Sequence, residues 1–326
     1  MAVQSAHFDA RCVRLEEADM GRGTVRWLAL KSALRQNVRK ISRVLALVAV
    51  ISLPSAAAQT KVSNQNKAET YYLLVFSNPV AGQEAEYNRW YSNQHQQDVV
   101  SVPGFTTAQR FVLSDVQLRQ SKPLPKYVII YKIETEDLAS VYAEVKRRIE
   151  TGVTVISPAY DRANSMEFTY RAIRPIVFPR GSSTGGHNAN AGGAPGSGAP
   201  VYFQIVFSDP SAPNLEDEYN RWYDQQHELD VVSAPGFVEG QRFVLSDIQL
   251  GNNPPLAKYL VIYKIVADDL AARFADYRRL APSMSESPAM GMSYGYTYKA
   301  MEPMIYGDQI RAERAKQKAA SGPSTR

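Results

Sequence analysis

Apolar and polar residues along this chain alternate in two distinct periods, and the order in which those periods appear occurs twice. Tyr71 to Ser77 (YYLLVFS) is a β-branched and aromatic run of strand character. A stretch of helical periodicity follows from about Gln83 to Val100 and is stopped by Pro103-Gly104. Strand patterns then span Thr106 to Ser114 and Lys126 to Glu134, joined by a Pro-containing loop. A second helix is predicted over about Glu136 to Ile149, and a last strand over about Met166 to Pro175. The order βαββαβ is a split β-α-β unit, with a four-stranded antiparallel sheet and helices on one face. Tyr127 to Ile133 is apolar on both faces apart from Lys132. Its own helices cover one face, so a partner sheet is expected on the other.

The same order returns downstream with many of the same residues. Tyr202 to Ser208 (YFQIVFS) matches the first strand, and Glu86 to Tyr91 (EYNRWY) recurs as Glu218 to Tyr223. His95 answers His227, and Asp98-Val99-Val100-Ser101 answers Asp230-Val231-Val232-Ser233. Pro103-Gly104-Phe105 recurs as Pro235-Gly236-Phe237, and Gln109 to Asp115 (QRFVLSD) as Gln241 to Asp247. A repeated module accounts for all of these matches. Residues 68–178 form module 1 and residues 201–306 module 2. Between them, residues 179–200 are rich in Gly, Ser, Ala and Asn, a flexible linker with a root-mean-square span of roughly 25 to 28 Å. That reach lets the two modules supply each other's partner sheet within one chain, with homo-oligomerisation left open.

The W-Y-x-x-x-H run at Trp90 to His95, the P-G-F turn at Pro103 to Phe105 and Q-R-F at Gln109 to Phe111, each present in both modules, resemble the dimeric α/β-barrel proteins of ferredoxin-like topology, and most closely their EthD-like branch. The resemblance covers both modules but not the leader, linker or tail. It implies an α+β fold in which two βαββαβ modules pair as a fused dimeric α/β barrel. It leaves the reaction open, because relatives of this kind include monooxygenases, isomerases, dehydratases, lyases, haem enzymes and members without known activity.

Residues 1–58 have the order of an export leader. Arg39, Lys40 and Arg43 precede a mostly apolar run from Val44 to Leu53, and Pro54 to Ala58 offers a small-residue cleavage site. Spanning a hydrocarbon core of ~30 Å takes about 20 residues, twice the length of that run, so cleavage is expected rather than anchoring. Periplasmic or secreted localisation follows, with no membrane association after cleavage.

The formal net charge of +5 equals the excess of the leader, residues 1–58, and the basic tail, residues 307–326, is offset by a slight acidic excess over the folded modules. No broad basic face remains for a phosphate backbone, which argues against a nucleic-acid partner. Cys12, in the leader, is the single cysteine. A mature chain would therefore have neither a disulfide nor a thiolate nucleophile.

Four histidines occur, and the modules hold only His95 and His227. One His per module is too few for a typical zinc site, and no Walker loop, dinucleotide glycine fingerprint or nucleophile elbow is present. No cofactor is expected, although barrel relatives of the kind resembled here can hold haem through one axial His. On a helix Tyr91, His95 and Asp98, and likewise Tyr223, His227 and Asp230, can lie along one face. A carboxylate on one imidazole nitrogen would fix the tautomer and leave the other nitrogen free for general acid-base work. The alternative is that these histidines cap or hydrogen-bond within the core and that Asp98 and Asp230 anchor the loop before the P-G-F turn. Tyr131 and Tyr263 are placed to polarise a substrate oxygen or simply to fill the core. Trp90, Tyr91, Trp222 and Tyr223 either line a pocket or pack. Arg110 and Arg242, in otherwise apolar strands, need a carboxylate such as Asp98 or a substrate oxyanion. The leading expectation is a cofactor-independent enzyme of lyase, dehydratase or isomerase type acting on a small apolar, aromatic or carbonyl-bearing molecule. A non-catalytic small-molecule binder and a haem-binding barrel are the rivals.

Overall fold

The computed structural model describes residues 67–122, 124–181 and 198–321. The leader, most of the linker and the last five residues, and with them the expected export signal, lie outside the described residues. Module 1 runs β1 (Glu69–Ser77), α1 (Glu84–Trp90), a π-helical turn (Tyr91–His95), α2 (Gln96–Val100), β2 (Phe105–Leu113), β3 (Tyr127–Thr135), α3 (Leu138–Glu150) and β4 (Met166–Ala172). Module 2 repeats the order as β5 (Val201–Pro210), α4 (Glu216–Trp222), a π-helical turn (Tyr223–His227), α5 (Glu228–Val232), β6 (Phe237–Leu245), β7 (Tyr259–Val266), α6 (Leu270–Leu280) and β8 (Met290–Ala300). A short β9 (Ile305–Tyr306) and α7 (Gly307–Ala320) follow, so the region read as a basic tail is largely helical. Both α3 and α6 start at an Asp, Asp137 or Asp269, whose carboxylate accepts the backbone N–H three residues on.

All strand pairs are antiparallel, and the sheet closes on itself. Its order is β3-β1-β4-β6-β7-β5-β8-β2, and β2 pairs again with β3 to complete an eight-stranded barrel, with β9 added outside on β2. Two seams join the modules. At one, Tyr170, Arg171 and Ala172 of β4 pair with Leu245, Val244 and Phe243 of β6. At the other, Phe111, Val112 and Leu113 of β2 pair with Ala300, Lys299 and Tyr298 of β8.

The strand period decides what fills each side. From β3, Val128 and Ile130 point into the barrel, where they meet Phe76, Phe111 and Phe168 of their own module and Ile205, Phe207 and Phe243 of the other. Tyr127, Ile129, Tyr131 and Ile133 face outward under the helices of module 1. This explains why the strand is apolar on both faces. Fully burying each such side chain contributes roughly 1.5 to 3 kcal/mol, and the interior set is shared, so neither module closes its own core alone.

The P-G-F turn delivers the chain from the helix to β2 under tight packing. Gly104 has φ +98°, and a Cβ there would fall 2.7 Å from Val141 Cγ2 of α3, so backbone freedom and space both require glycine.

Candidate functional site

The helix after β1 is wound more loosely at its centre than its neighbours. Through Tyr91–His95 it is π-helical, and the N–H of Gln96 bonds to the carbonyl of Tyr91, five residues back. In such a turn residues five apart come into line. Trp90 and His95 accordingly stack at 4.4 Å between ring centroids, with Tyr91 edge-on to the imidazole at 5.0 Å. Module 2 repeats this at Trp222, Tyr223 and His227, with 4.4 and 4.9 Å. Single π turns of this kind are frequent at functional sites.

In module 1 the imidazole borders a cavity of about 600 Å³ between sheet and helices, within the range of small-molecule sites. Leu73, Val75 and Tyr131 form the sheet wall, and Tyr91, His95, Val99, Val145 and Ile149 the helix wall. Charged side chains, Lys146, Glu150, Arg162 and Glu167, also line it. Module 2 contributes Leu250 and Asn253 from its β6–β7 loop, so the site is built by both modules. Two buried polar atoms on side chains that line the cavity, His95 Nδ1 and the Tyr131 hydroxyl, have no hydrogen-bond partner among the described residues. Leaving such groups unpaired costs about 1 to 3 kcal/mol each, which ligand or water atoms would recover.

Burial sets the ionisation of these groups. It lowers the His95 pKa to about 3, helped by the nearby positive charge of Arg110, so the imidazole is neutral at ordinary pH. The same cause lowers His227 to about 4. Burial holds Tyr131 and Tyr91 well above the usual phenol value. Glu167 is raised by burial against the opposing pull of Lys146 and Arg162. Glu167, Lys146, Arg162 and Tyr160 were not singled out from sequence. A carboxylate in the aromatic strand Met166–Ala172, with Gly295 at the matching place, is the signal that was available for Glu167.

The expected imidazole–carboxylate pair is not formed in module 1. Asp98 accepts a hydrogen bond from Arg314 Nη2 of α7 at 2.6 Å, and Arg311 of the same helix donates to the carbonyls of Val100, Val102 and Phe105. The carboxylate is thus spent on docking the C-terminal helix onto the end of α2. In module 2 Asp230 accepts from the Ser285 N–H at 2.9 Å.

Arg110 does not reach Asp98 either, and it does not line the cavity. It lies under the π turn, donating to Asn88 Oδ1 at 2.7 Å and Ser92 Oγ at 2.5 Å, with its guanidinium 4.8 Å from the Tyr91 ring centre and Glu302 of module 2 at 3.5 Å. Arg242 does the same with Asn220, Asp224 and the Tyr223 ring. These arginines support the helix that carries the imidazole from below. Trp90 donates its indole N–H to the Val155 carbonyl and backs the imidazole without lining the cavity, whereas Trp222 Nε1 is buried without a partner among the described residues.

The corresponding space in module 2 is about 40 Å³, room for roughly one water. The strand registers show what fills it. Opposite Tyr131 stands Leu73, while opposite Tyr263 stands Gln204. Val145 of α3 is matched on α6 by Tyr277, which lines the module 2 space. From module 1, Leu118 and Arg119 enter, and Arg119 Nη1 donates to Ser293 Oγ at 3.2 Å. The loop that covers the open cavity has Gly251 where the other has Arg119. A Cβ at Gly251 would fall 2.2 Å from Glu167 Oε1 and 2.7 Å from its Cγ, so no side chain fits there unless Glu167 moves.

Among the described residues no group of three or more His, Cys, Asp or Glu is arranged to hold a metal ion, and no helix is long and apolar enough to cross a membrane.

No family model and no curated protein matches the chain. Solved structures similar to it include an anthrone oxidase-like protein (14% identity, 74% of this chain and 94% of that one, TM-score 0.47). A chlorite dismutase from Candidatus Nitrospira defluvii aligns at 10% identity over 76% of this chain and 95% of its own, TM-score 0.41. An encapsulated DyP-type peroxidase from Mycobacterium smegmatis gives 12%, 74%, 94% and 0.39. At these identities and scores the likenesses say nothing of activity, and the architecture stands on the strand order itself. With eight antiparallel strands closed into one ring, four from each βαββαβ module, the chain has the dimeric α/β-barrel fold with both halves on a single polypeptide.

Proposed function

We propose that the module 1 cavity binds a small, mostly apolar molecule, aromatic or carbonyl-bearing, and moves a proton on it without a cofactor. The observation that carries this reading is that one cavity is lined by His95 from its helix wall and Tyr131 from its sheet wall, each with a buried polar atom unpaired among the described residues. Tyr131 stays protonated at any ordinary pH and can donate to a substrate oxygen, stabilising negative charge as it develops there. His95 stays neutral and can accept a proton from a neighbouring atom. A donor to oxygen and a nearby proton acceptor are what elimination or isomerisation beside a carbonyl requires, so a lyase, dehydratase or isomerase step is the reaction class. The aromatic rings of Tyr91 and Tyr160 suit a flat ligand.

A second reading, a binder without turnover, is favoured by the lowered His95 pKa, because an imidazole of pKa about 3 is a weak base. It uses the same cavity. Membership of the EthD-like branch and export to a periplasm or beyond belong to this proposal as well. They are supported by the repeated W-Y-x-x-x-H, P-G-F and Q-R-F runs and by the basic–apolar–small order of residues 39–58.

The test is to purify the mature chain from its native host, record its absorption spectrum, and identify co-purified small molecules by native mass spectrometry. A colourless protein carrying an apolar, oxygen-bearing molecule that the wild type converts and His95→Ala does not is the expected result. A ligand that stays bound but unchanged would favour the binder, and a Soret band would replace both readings with a haem protein.

A further inference from the structure

We infer that the two seams are keyed by exchanged charges, so that module 1 fits module 2 and rejects a second copy of itself. Glu302 and Arg174 hold equivalent positions, each just before a proline, Pro303 or Pro175. Each offers its backbone carbonyl to the glutamine of the other module's Q-R-F run: Gln109 Nε2 donates to the Glu302 carbonyl at 3.1 Å, and Gln241 Nε2 to that of Arg174 at 3.2 Å. The backbone contacts are the same, but the side chains carry opposite charge, and so do their targets.

Glu302 reaches the π turn of module 1 and finds neutral donors and one cation. Its Oε1 accepts from Ser92 Oγ and Gln96 Nε2, both at 3.2 Å, and lies 3.5 Å from Arg110. Arg174 reaches the π turn of module 2 and finds acids. Its Nη1 lies 3.2 Å from Asp224 Oδ1 and 3.6 Å from Glu228 Oε2, beside the Arg242–Asp224 pair. Ser92 and Asp224 occupy matching places, as do Gln96 and Glu228. The two modules therefore differ at three matched positions, and each cluster places opposite charges together.

Self-pairing breaks both clusters. Module 1 against another module 1 would set Arg174 beside Arg110, Ser92 and Gln96, two cations with no carboxylate between them. Module 2 against another module 2 would set Glu302 beside Asp224 and Glu228, three acids against Arg242. The side chains of Arg110 and Arg242 are at most 2% exposed and those of Glu302 and Arg174 are 23% and 26% exposed, so water screens the mismatch only in part, and a buried charge left unpaired is costly. Such repulsive elements give partner choice that apolar seams alone would not. A dedicated pairing also lets the two cavities differ, because a barrel with two identical halves would repeat one loop on both sides.

The experiment is a charge-exchange series in the full chain, read by thermal melting and by light scattering of the eluting species. Glu302→Arg sets a cation against Arg110 and should lower Tm by roughly 6–12 °C. Adding Ser92→Asp and Gln96→Glu rebuilds the module 2 cluster in module 1 and should recover more than half of that loss, with a monomer throughout. A neutral Glu302→Arg, or a triple variant no more stable than the single, overturns the inference. If Glu302→Arg yields no folded protein, a soluble, cooperatively melting triple variant supports the inference, and an insoluble one overturns it.

Discussion

The two halves of the barrel present the same imidazole on the same π turn, yet one faces a cavity of about 600 Å³ and the other a space of about 40 Å³. The difference does not come from the histidines, which share their stacking geometry within 0.1 Å of centroid distance. It comes from their surroundings: Leu73 against Gln204, Val145 against Tyr277, and Gly251 against Arg119. Of these, the 119/251 pair is supplied across the seam, so each module decides how open its neighbour's cavity is. The repeated motif thus preserves the support for a site in both halves, while the space that makes it usable survives in one.

The comparison can be broken most severely at the histidines. His95→Ala should lower turnover of an identified substrate by about 10²- to 10⁴-fold, the usual worth of a positioned proton-transfer group, while His227→Ala leaves it within about twofold. Steady-state kinetics on the two variants checks this. Equal losses would mean that both halves work.

Next comes the loop. Gly251→Arg places a side chain against Glu167 and across the opening, and should weaken ligand binding by at least about 100-fold, an amount of roughly 2.7 kcal/mol. The converse set, Arg119→Gly with Tyr277→Val and Gln204→Leu, should open a second cavity. A crystal structure of that triple variant would show it. Tyr131→Phe removes a hydroxyl without changing shape and should cost about tenfold in kcat, close to one ordinary hydrogen bond, with Tyr263→Phe silent.

The smallest effect is on stability. Because His95 titrates near 3 in the folded chain and near 6.5 when unfolded, the unfolded state binds more protons between those values. Stability conferred by the neutral imidazole is complete above about pH 6.5 and is lost as pH falls toward 3. His95→Gln should flatten that decline more than His227→Gln, whose window closes near 4. Urea melts at several pH values would reveal it.

Much of this was legible in the residues. The βαββαβ order, the repeat and the covered outer face of Tyr127–Thr135 follow from period and composition, because strand alternation and helical stripes are local properties. The pairing of His95 and Tyr131 in one cavity also follows once their strand and helix are packed. The π turn was not legible, since one extra residue in a helical turn leaves the apolar period almost unchanged. Nor was the partner of Asp98, because Arg314 lies 216 residues away on a helix read as tail. The unequal cavities depend on single positions, Arg119 and Gly251, whose loops reach into the opposite module. That reach exists only in the closed barrel.

The central claim, one working cavity per chain, is tested most directly by isothermal titration with 1-naphthol, a flat apolar probe with one hydroxyl. One site per wild-type chain, absent in Gly251→Arg and unchanged in His227→Ala, is the predicted result. Two sites per chain, or a single site that survives Gly251→Arg, would contradict it.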